Sequence, residues 1–330
     1  MSDLVDDLLD GRHRALARVI SKIEDRSPGY REIVSELHAH SGSADVIGVT
    51  GSPGAGKSTL VDKVAARYRE RGETVGVIAI DPSSPFTGGA VLGDRIRMGS
   101  NAGDMDVFFR SMSARGSLGG LSTATTDAVT ALDAFGKDRV IIETVGAGQN
   151  EIDIVRTADT VAVLVPPDSG DDVQMLKAGI LEIGDLFAVN KADLDGADRT
   201  VQQLTEMLHY GERRGGADGD EETESWEPPV IETVANTGEG VDAFLSAIDD
   251  HLAYLDASGQ REAKQRSRYA AEIRALVRED ANDLLEREIQ RRGGIDRYVD
   301  RILAREADPY GVTEEIVGPL RECLDDRHAE

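Results

Sequence analysis

The sequence predicts an α/β fold in which a mostly parallel central sheet is flanked by helices, and three observations carry that prediction. Short β-branched runs recur along the chain as "DVIGVT", "TVGVIAI", "RVIIET", "TVAVLV", "DLFAVN" and "PVIETV". Stretches of helical periodicity separate them. The runs are largely apolar and β-branched, as strands covered on both faces are, whereas a half-exposed sheet would alternate.

Taken in chain order, residues 4–39 carry Leu16, Val19, Ile20 and Ile23 at helical spacing, then Ile33 and Leu37 after the breaker "RSPGY". This predicts two amphipathic helices. The first strand run leads into "GSPGAGKS" and the helical "KSTLVDKVAARYRE"; the second leads into a loop, "DPSSPFTGGAVLGDRIRM", with Asp81 and Asp94 thirteen positions apart. Between Gly211 and Pro229 the chain is Gly-rich and acidic without apolar period, and an exposed insertion around 215–227 is expected. After Val241 the text is helical again. Tyr269, Ile273, Leu276, Val277, Leu284, Leu285 and Ile289 form an apolar stripe there, suited either to packing on its own domain or to a dimerisation arm.

Bulk composition narrows the function. With 62 acidic against 37 basic residues the formal net charge is -25, which speaks against nucleic acid or an anionic membrane as partner, since both need Lys/Arg patches. The single cysteine, Cys323, cannot form an internal disulfide, so a reducing cytoplasm is the expected location. "MSDLVDDLLDGRHRAL" is acidic and holds no continuous apolar segment, so neither a signal peptide nor a membrane span is expected of it.

The strongest chemical signal is Gly51, Ser52, Pro53, Gly54, Ala55, Gly56, Lys57, Ser58, the G-x-x-x-x-G-K-[ST] pattern, with a strand before it and a helix after. Glycines let backbone N–H groups turn inward around phosphates, and the helix N-terminus that continues through Thr59 adds its dipole. Lys57 then reaches the β- and γ-phosphates, and the Ser58 hydroxyl binds Mg²⁺. A second motif, Asn190-Lys191-Ala192-Asp193, ends a strand about 130 residues later. Asp193 can accept from guanine N1–H and the exocyclic amine together, a donor pair adenine lacks, so GTP and GDP are the expected ligands. The pair Val234-Ala235, with Asn236, follows the last strand run, where a backbone N–H can meet the guanine oxygen. Glu143 ends "RVIIET" at the place of a metal-side carboxylate, and Gly146 can offer its N–H to the γ-phosphate.

Together "GVTGSPGAGKSTL", "AIDPSSPFTGGAVLGDRIRM", "ETVGAGQNE", "DDVQMLKAGI" and "AVNKAD" resemble the MeaB/ArgK-like P-loop GTPases, chaperones of adenosylcobalamin-dependent methylmalonyl-CoA mutase. The resemblance spans about residues 11–300. It implies a P-loop NTPase of the SIMIBI type, with an N-terminal helical extension over 1–43, a GTPase domain over 44–257 and a C-terminal helical dimerisation arm over 258–330. It implies that Lys57, Asp81, Asp94 and Glu143 are catalytic, that Ser58, Asp81, Asp94 and Glu143 hold Mg²⁺, and that Gln174 and Lys177 lie in a loop facing the mutase. Two departures stand out: "PPDSGDD" before that loop, and the acidic insertion.

The function expected on these grounds is GTP hydrolysis, slow alone and stimulated by the mutase, gating cofactor loading and protecting or reactivating the enzyme. An ATPase or kinase of lysine/arginine/ornithine transport is the alternative, opposed by the guanine motif. A metal-insertion GTPase would carry Cys/His ligands near the nucleotide loops; His38 and His40, spaced by two, point to different sides of a helix.

Overall fold

The computed structural model of the chain describes residues 2–81, 101, 104–113, 120–144, 157–167, 180–215 and 225–328. Two compact units are present, Met1–Arg268 and Tyr269–Glu330.

The first unit is built on seven strands: β1 (Asp45–Gly51), β2 (Val75–Asp81), β3 (Val107–Ser113), β4 (Arg139–Thr144), β5 (Thr160–Val165), β6 (Leu186–Asn190) and β7 (Val230–Thr233). Their order across the sheet is β3-β2-β4-β1-β5-β6-β7, and every neighbouring pair is parallel. Successive side chains of a strand point to opposite faces, and the alternate residues enter two separate cores. Ile78, Ile142, Val163 and Val189 face α1 (Ser2–Leu9), α2 (His13–Glu24), α3 (Tyr30–His38), α5 (Gly120–Ala134) and α6 (Ala197–Gly215). Ile47, Val49, Val77, Ile141 and Leu164 face α4 (Lys57–Glu70) and α7 (Val241–Ala257). Both faces are therefore covered, which is why the strand runs carry no polar alternation.

Two elements go beyond the sequence expectation. The N-terminal region holds three helices, because α1 closes at Gly11 with its N–H on the Leu8 carbonyl and Arg12 N–H on that of Asp7, while Val5 and Leu8 are fully buried. The strand absent from the six apolar runs, β3, reads "VFFRSMS": it is an edge strand, half-buried for most of its length, so it need not be apolar throughout. One of them, Arg110, reaches back to Glu24 of α2 at 2.8 Å.

At the N-terminal edge of the sheet, charges stitch the strand starts together. Arg139 of β4 pairs with Asp45 of β1 at 2.6 Å and with Glu73 at 2.5 Å, its guanidinium 5.0 Å from the buried Tyr68 ring. The helix α8 (Gln260–Arg291) begins in this unit, and Arg268 reaches Asp159 at 2.7 Å. Nearby, His251 of α7 is buried between two partners. Its Nδ1 lies 2.8 Å from the Thr160 hydroxyl and its Nε2 3.3 Å from Asp185. Trp226 Nε1 donates to the Asp185 carbonyl at 2.6 Å, and Lys264 Nζ stands 3.3 Å from the Asp185 carboxylate.

Burial alone would raise the Asp185 carboxyl; the His251 hydrogen bond, the Lys264 and His251 charges and the Val161 N–H outweigh it and hold it below the usual aspartate range. A folded-state pKa below the unfolded one contributes stability in full above the unfolded value, and that contribution fades as pH falls through the folded one. Asp185→Asn is therefore expected to lower the urea midpoint at pH 7, with the gap to wild type narrowing below about pH 4. A gap that stays constant across that range contradicts the assignment.

The second unit continues α8 and adds α9 (Ile295–Leu303) and α10 (Pro309–His328). Its small core is Tyr298, Val312 and Ile316, with Leu285 and Ile289 of α8 packed against them. Of the remaining stripe residues, Ile273, Val277 and Leu284 are 61%, 61% and 58% exposed, Tyr269 is 38% exposed and Leu276 is half-buried, so the stripe predicted as one face divides between core and solvent. Among the described residues, no helix is long and apolar enough to cross a membrane.

Candidate nucleotide-binding site

Strand β1 runs into the loop 51–56, and α4 begins at Lys57. Gly51 has φ +134°, and a Cβ there would strike the Leu164 carbonyl of the neighbouring strand. Gly56, at φ +92°, directly precedes α4; a Cβ there would strike the Asn190 side chain. Only glycine fits at both ends of this loop. The loop thereby presents backbone and the positive end of a helix at the C-terminal edge of the sheet, where open α/β folds bind their ligands.

Lys57 is 6% exposed, and its Nζ donates to the Gly51 carbonyl at 2.7 Å and the Ser52 carbonyl at 2.9 Å. The cation is thus held over its own loop, poised for phosphate oxygens. Ser58 donates its hydroxyl to Oε1 of Glu143, whose side chain is 4% exposed at the end of β4. The Lys57 ammonium, the Ser58 hydroxyl and the buried Glu143 carboxylate thus stand around the loop 51–56. Asp81 is the last residue of β2, in register with Ser113 of β3. Asp94, Gly146, Gln174 and Lys177 lie outside the described residues.

The base-side motif is fastened to this loop through Asn190, which is 1% exposed. Its Nδ2 donates to the Ala55 carbonyl at 2.7 Å. Its Oδ1 accepts from the Thr233 hydroxyl and from the Ala235 N–H, each at 3.1 Å. One amide therefore joins the phosphate loop, the end of β6 and the segment after β7. Lys191 follows at φ 65°, a left-handed conformation that costs a residue with a side chain about 1–2 kcal/mol. The turn is secured by Ala192 N–H on the Thr233 carbonyl and Leu194 N–H on the Lys191 carbonyl. Lys191 is half-buried and Asp193 exposed on this turn, while Val234 and Ala235 are buried and Asn236 exposed beside it.

Sequence reasoning missed three hydroxyls of this constellation. Thr233 holds Asn190, and Thr144 donates to Thr50 at 2.9 Å beneath the loop. A threonine at a strand end reads as an ordinary β-branched residue, so no sequence signal distinguishes them. His38 and His40 are exposed. Among the described residues, no group of three His, Cys, Asp or Glu side chains is placed to hold a metal ion.

A family model described as methylmalonyl Co-A mutase-associated GTPase MeaB matches residues 16–290. The chain belongs to the MeaB family. A Pyrococcus abyssi relative named as a GTPase is 44% identical over 322 residues, covering 96% of this chain and 97% of its own length. The GTPase ArgK of Escherichia coli K12 is 32% identical over 287 residues, covering 85% of this chain and 84% of ArgK. In fold, the crystal structure of an LAO/AO transport system kinase matches with a TM-score of 0.70 over 97% of both chains, at 24% identity. As a member of the MeaB family the chain is a P-loop GTPase.

For this MeaB-family site, truncating Asn190 leaves three buried partners unsatisfied. Asn190→Ala is expected to cost about 1–3 kcal/mol of stability and to weaken GDP binding. Thermal melts with and without GDP read both effects, and a variant with unchanged melting and unchanged ligand shift contradicts the fastening role.

Proposed function

We propose that this GTPase is a chaperone of an adenosylcobalamin-dependent acyl-CoA mutase, with methylmalonyl-CoA mutase as the partner. Its nucleotide state gates cofactor loading and protects or reactivates that enzyme. The observation that carries the reading is the family match over residues 16–290, whose description names the mutase. A guanine-type Asn190-Lys191-Ala192-Asp193 turn, fastened to the phosphate loop through Asn190, supports it. The same turn disfavours an ATP-dependent transport kinase, because adenine lacks the N1–H and exocyclic-amine donor pair that Asp193 would accept.

Ser58 and Glu143, with Asp81 at the end of β2 and Asp94, are the residues that would hold Mg²⁺ in this reading. The described donors are a hydroxyl and a buried carboxylate, oxygen only and few in number, which suits an ion that keeps waters and takes phosphate oxygens for the rest of its shell. Held there, Mg²⁺ would supply positive charge against the phosphate oxygens. Lys57 moves from the carbonyls of Gly51 and Ser52 to the γ-phosphate and stabilises the charge that develops on it. Gly146 offers its N–H to the same group, and Lys191, Asp193, Ala235 and Asn236 receive the guanine. No arginine finger is assignable, so the chain alone hydrolyses slowly and the mutase completes the site through the loop of Gln174 and Lys177.

The division into extension 1–43, GTPase domain 44–257 and arm 258–330 belongs to the same proposal. The exposed Ile273, Val277 and Leu284 of α8 are the surface through which two copies pair into a homodimer. Its place is the cytoplasm. The test is GTP turnover with and without purified methylmalonyl-CoA mutase: stimulation by the mutase, lost on changing Gln174 and Lys177 to alanine, is the expected result. Turnover indifferent to the mutase refutes the chaperone reading.

A further inference from the structure

The backbone register between β1 and β4 runs from Asp45↔Arg139 to Val49↔Glu143. One residue further along, Thr144 donates its hydroxyl to that of Thr50 at 2.9 Å, and both side chains are fully buried. Neighbouring positions in these strands are Ile47, Val49, Ile141 and Ile142. Valine has the shape of threonine and would fill either position without bringing a hydroxyl into the interior, where an unpaired one is costly. Two hydroxyls bonded to each other at this point therefore make a specific link, not generic strand packing.

What the link joins is the two walls of the site. Thr50 precedes Gly51, whose carbonyl holds Lys57 Nζ at 2.7 Å. Thr144 follows Glu143, which receives the Ser58 hydroxyl. Side chains alternate along a strand, so Glu143 faces α4 while Thr144 faces the opposite side of the sheet. We infer that Thr50 and Thr144 are a positioning pair for GTP hydrolysis: their hydroxyl bridge extends the tie between β1 and β4 beyond the backbone ladder and sets where Glu143 stands relative to the phosphate loop. The inference rests on the reading of Glu143 as a metal-side carboxylate.

The experiment loads the full chain with a fluorescent GDP analogue and measures its release in Mg²⁺ and in EDTA. Thr50→Val and Thr144→Val are each expected to speed release in Mg²⁺ about fivefold, the size of one hydrogen bond, and to leave release in EDTA unchanged. The double variant should be no faster than either single one, because both remove the same bridge. In turnover, kcat falls by a similar factor while KM for GTP holds. Thr50→Ser and Thr144→Ser keep the hydroxyls and should behave as wild type; if they release as fast as the valine variants, packing and not the bridge is responsible, and the inference fails. Equal acceleration in Mg²⁺ and EDTA, or none in either, overturns it as well. Glu143→Gln separates the two layers. If it removes the Mg²⁺ dependence while the valine variants are silent, only the positioning pair is wrong; if it has no effect, the reading of Glu143 falls and the pair with it.

Discussion

Lys57→Ala is expected to abolish GTP turnover, lowering kcat by about 10²-fold or more. The side chain supplies a cation at the loop 51–56, and phosphoryl transfer depends chiefly on positioning and on stabilising charge on the transferred group. In the structure its ammonium is held by the carbonyls of Gly51 and Ser52, at 2.7 and 2.9 Å. Those contacts also bind the loop to the start of α4, so the variant loses loop order together with charge. Steady-state phosphate release is the measurement, with folding checked by circular dichroism. Wild-type turnover in the variant contradicts the site.

Asp193→Asn is expected to exchange guanine for xanthine. An aspartate accepts from guanine N1–H and from the exocyclic amine, whereas an asparagine accepts from N1–H and donates to the carbonyl that xanthine carries in place of that amine. Affinity for GDP should fall by about 10²-fold or more and that for the xanthine nucleotide should rise, since a site built to bond a polar edge rejects the analogue that leaves its groups unpaired. Competition of GDP, XDP and ADP against a fluorescent nucleotide reads the exchange. Unchanged preference for GDP would remove Asp193 from the base contact.

How far the sequence leads depends on what kind of interaction holds each part. The phosphate loop is legible because its demands are local: Gly51 and Gly56 sit where a Cβ would collide with Leu164 or Asn190, and no other residue fits. Six strands are legible because each carries an apolar, largely β-branched run, buried on both faces in all but the edge strand β7. The edge strand β3 escapes that pattern, since most of "VFFRSMS" is only half-buried and the alternative of a loop is open to it. Asn190 is legible as part of a motif, but its task is not. Its partners Ala55 and Ala235 lie 135 and 45 residues away, and backbone carbonyls and N–H groups leave no mark in a sequence. The same holds for Arg139 with Asp45, 94 positions apart, and for Thr144 with Thr50 at the same separation.

In the apolar stripe of α8, spacing predicts a face but not what covers it. Leu285 and Ile289 pack within the second unit, whereas Ile273 and Val277 remain exposed. Helical periodicity reports only that a face is apolar, and the identity of the surface opposite it depends on three-dimensional neighbours. Size-exclusion chromatography with light scattering, comparing wild type with Ile273→Glu and Val277→Glu, assigns that face.

In the proposed function, guanine nucleotide controls an interaction with a cobalamin-dependent mutase. The most direct measurement is the affinity of this chain for purified methylmalonyl-CoA mutase, taken with no nucleotide, with GDP and with a non-hydrolysable GTP analogue. A complex whose affinity differs at least about tenfold between the GDP and GTP-analogue states is the predicted result, corresponding to a coupling of about 1.4 kcal/mol. Absence of binding in all three states, or binding of equal strength in all three, contradicts it.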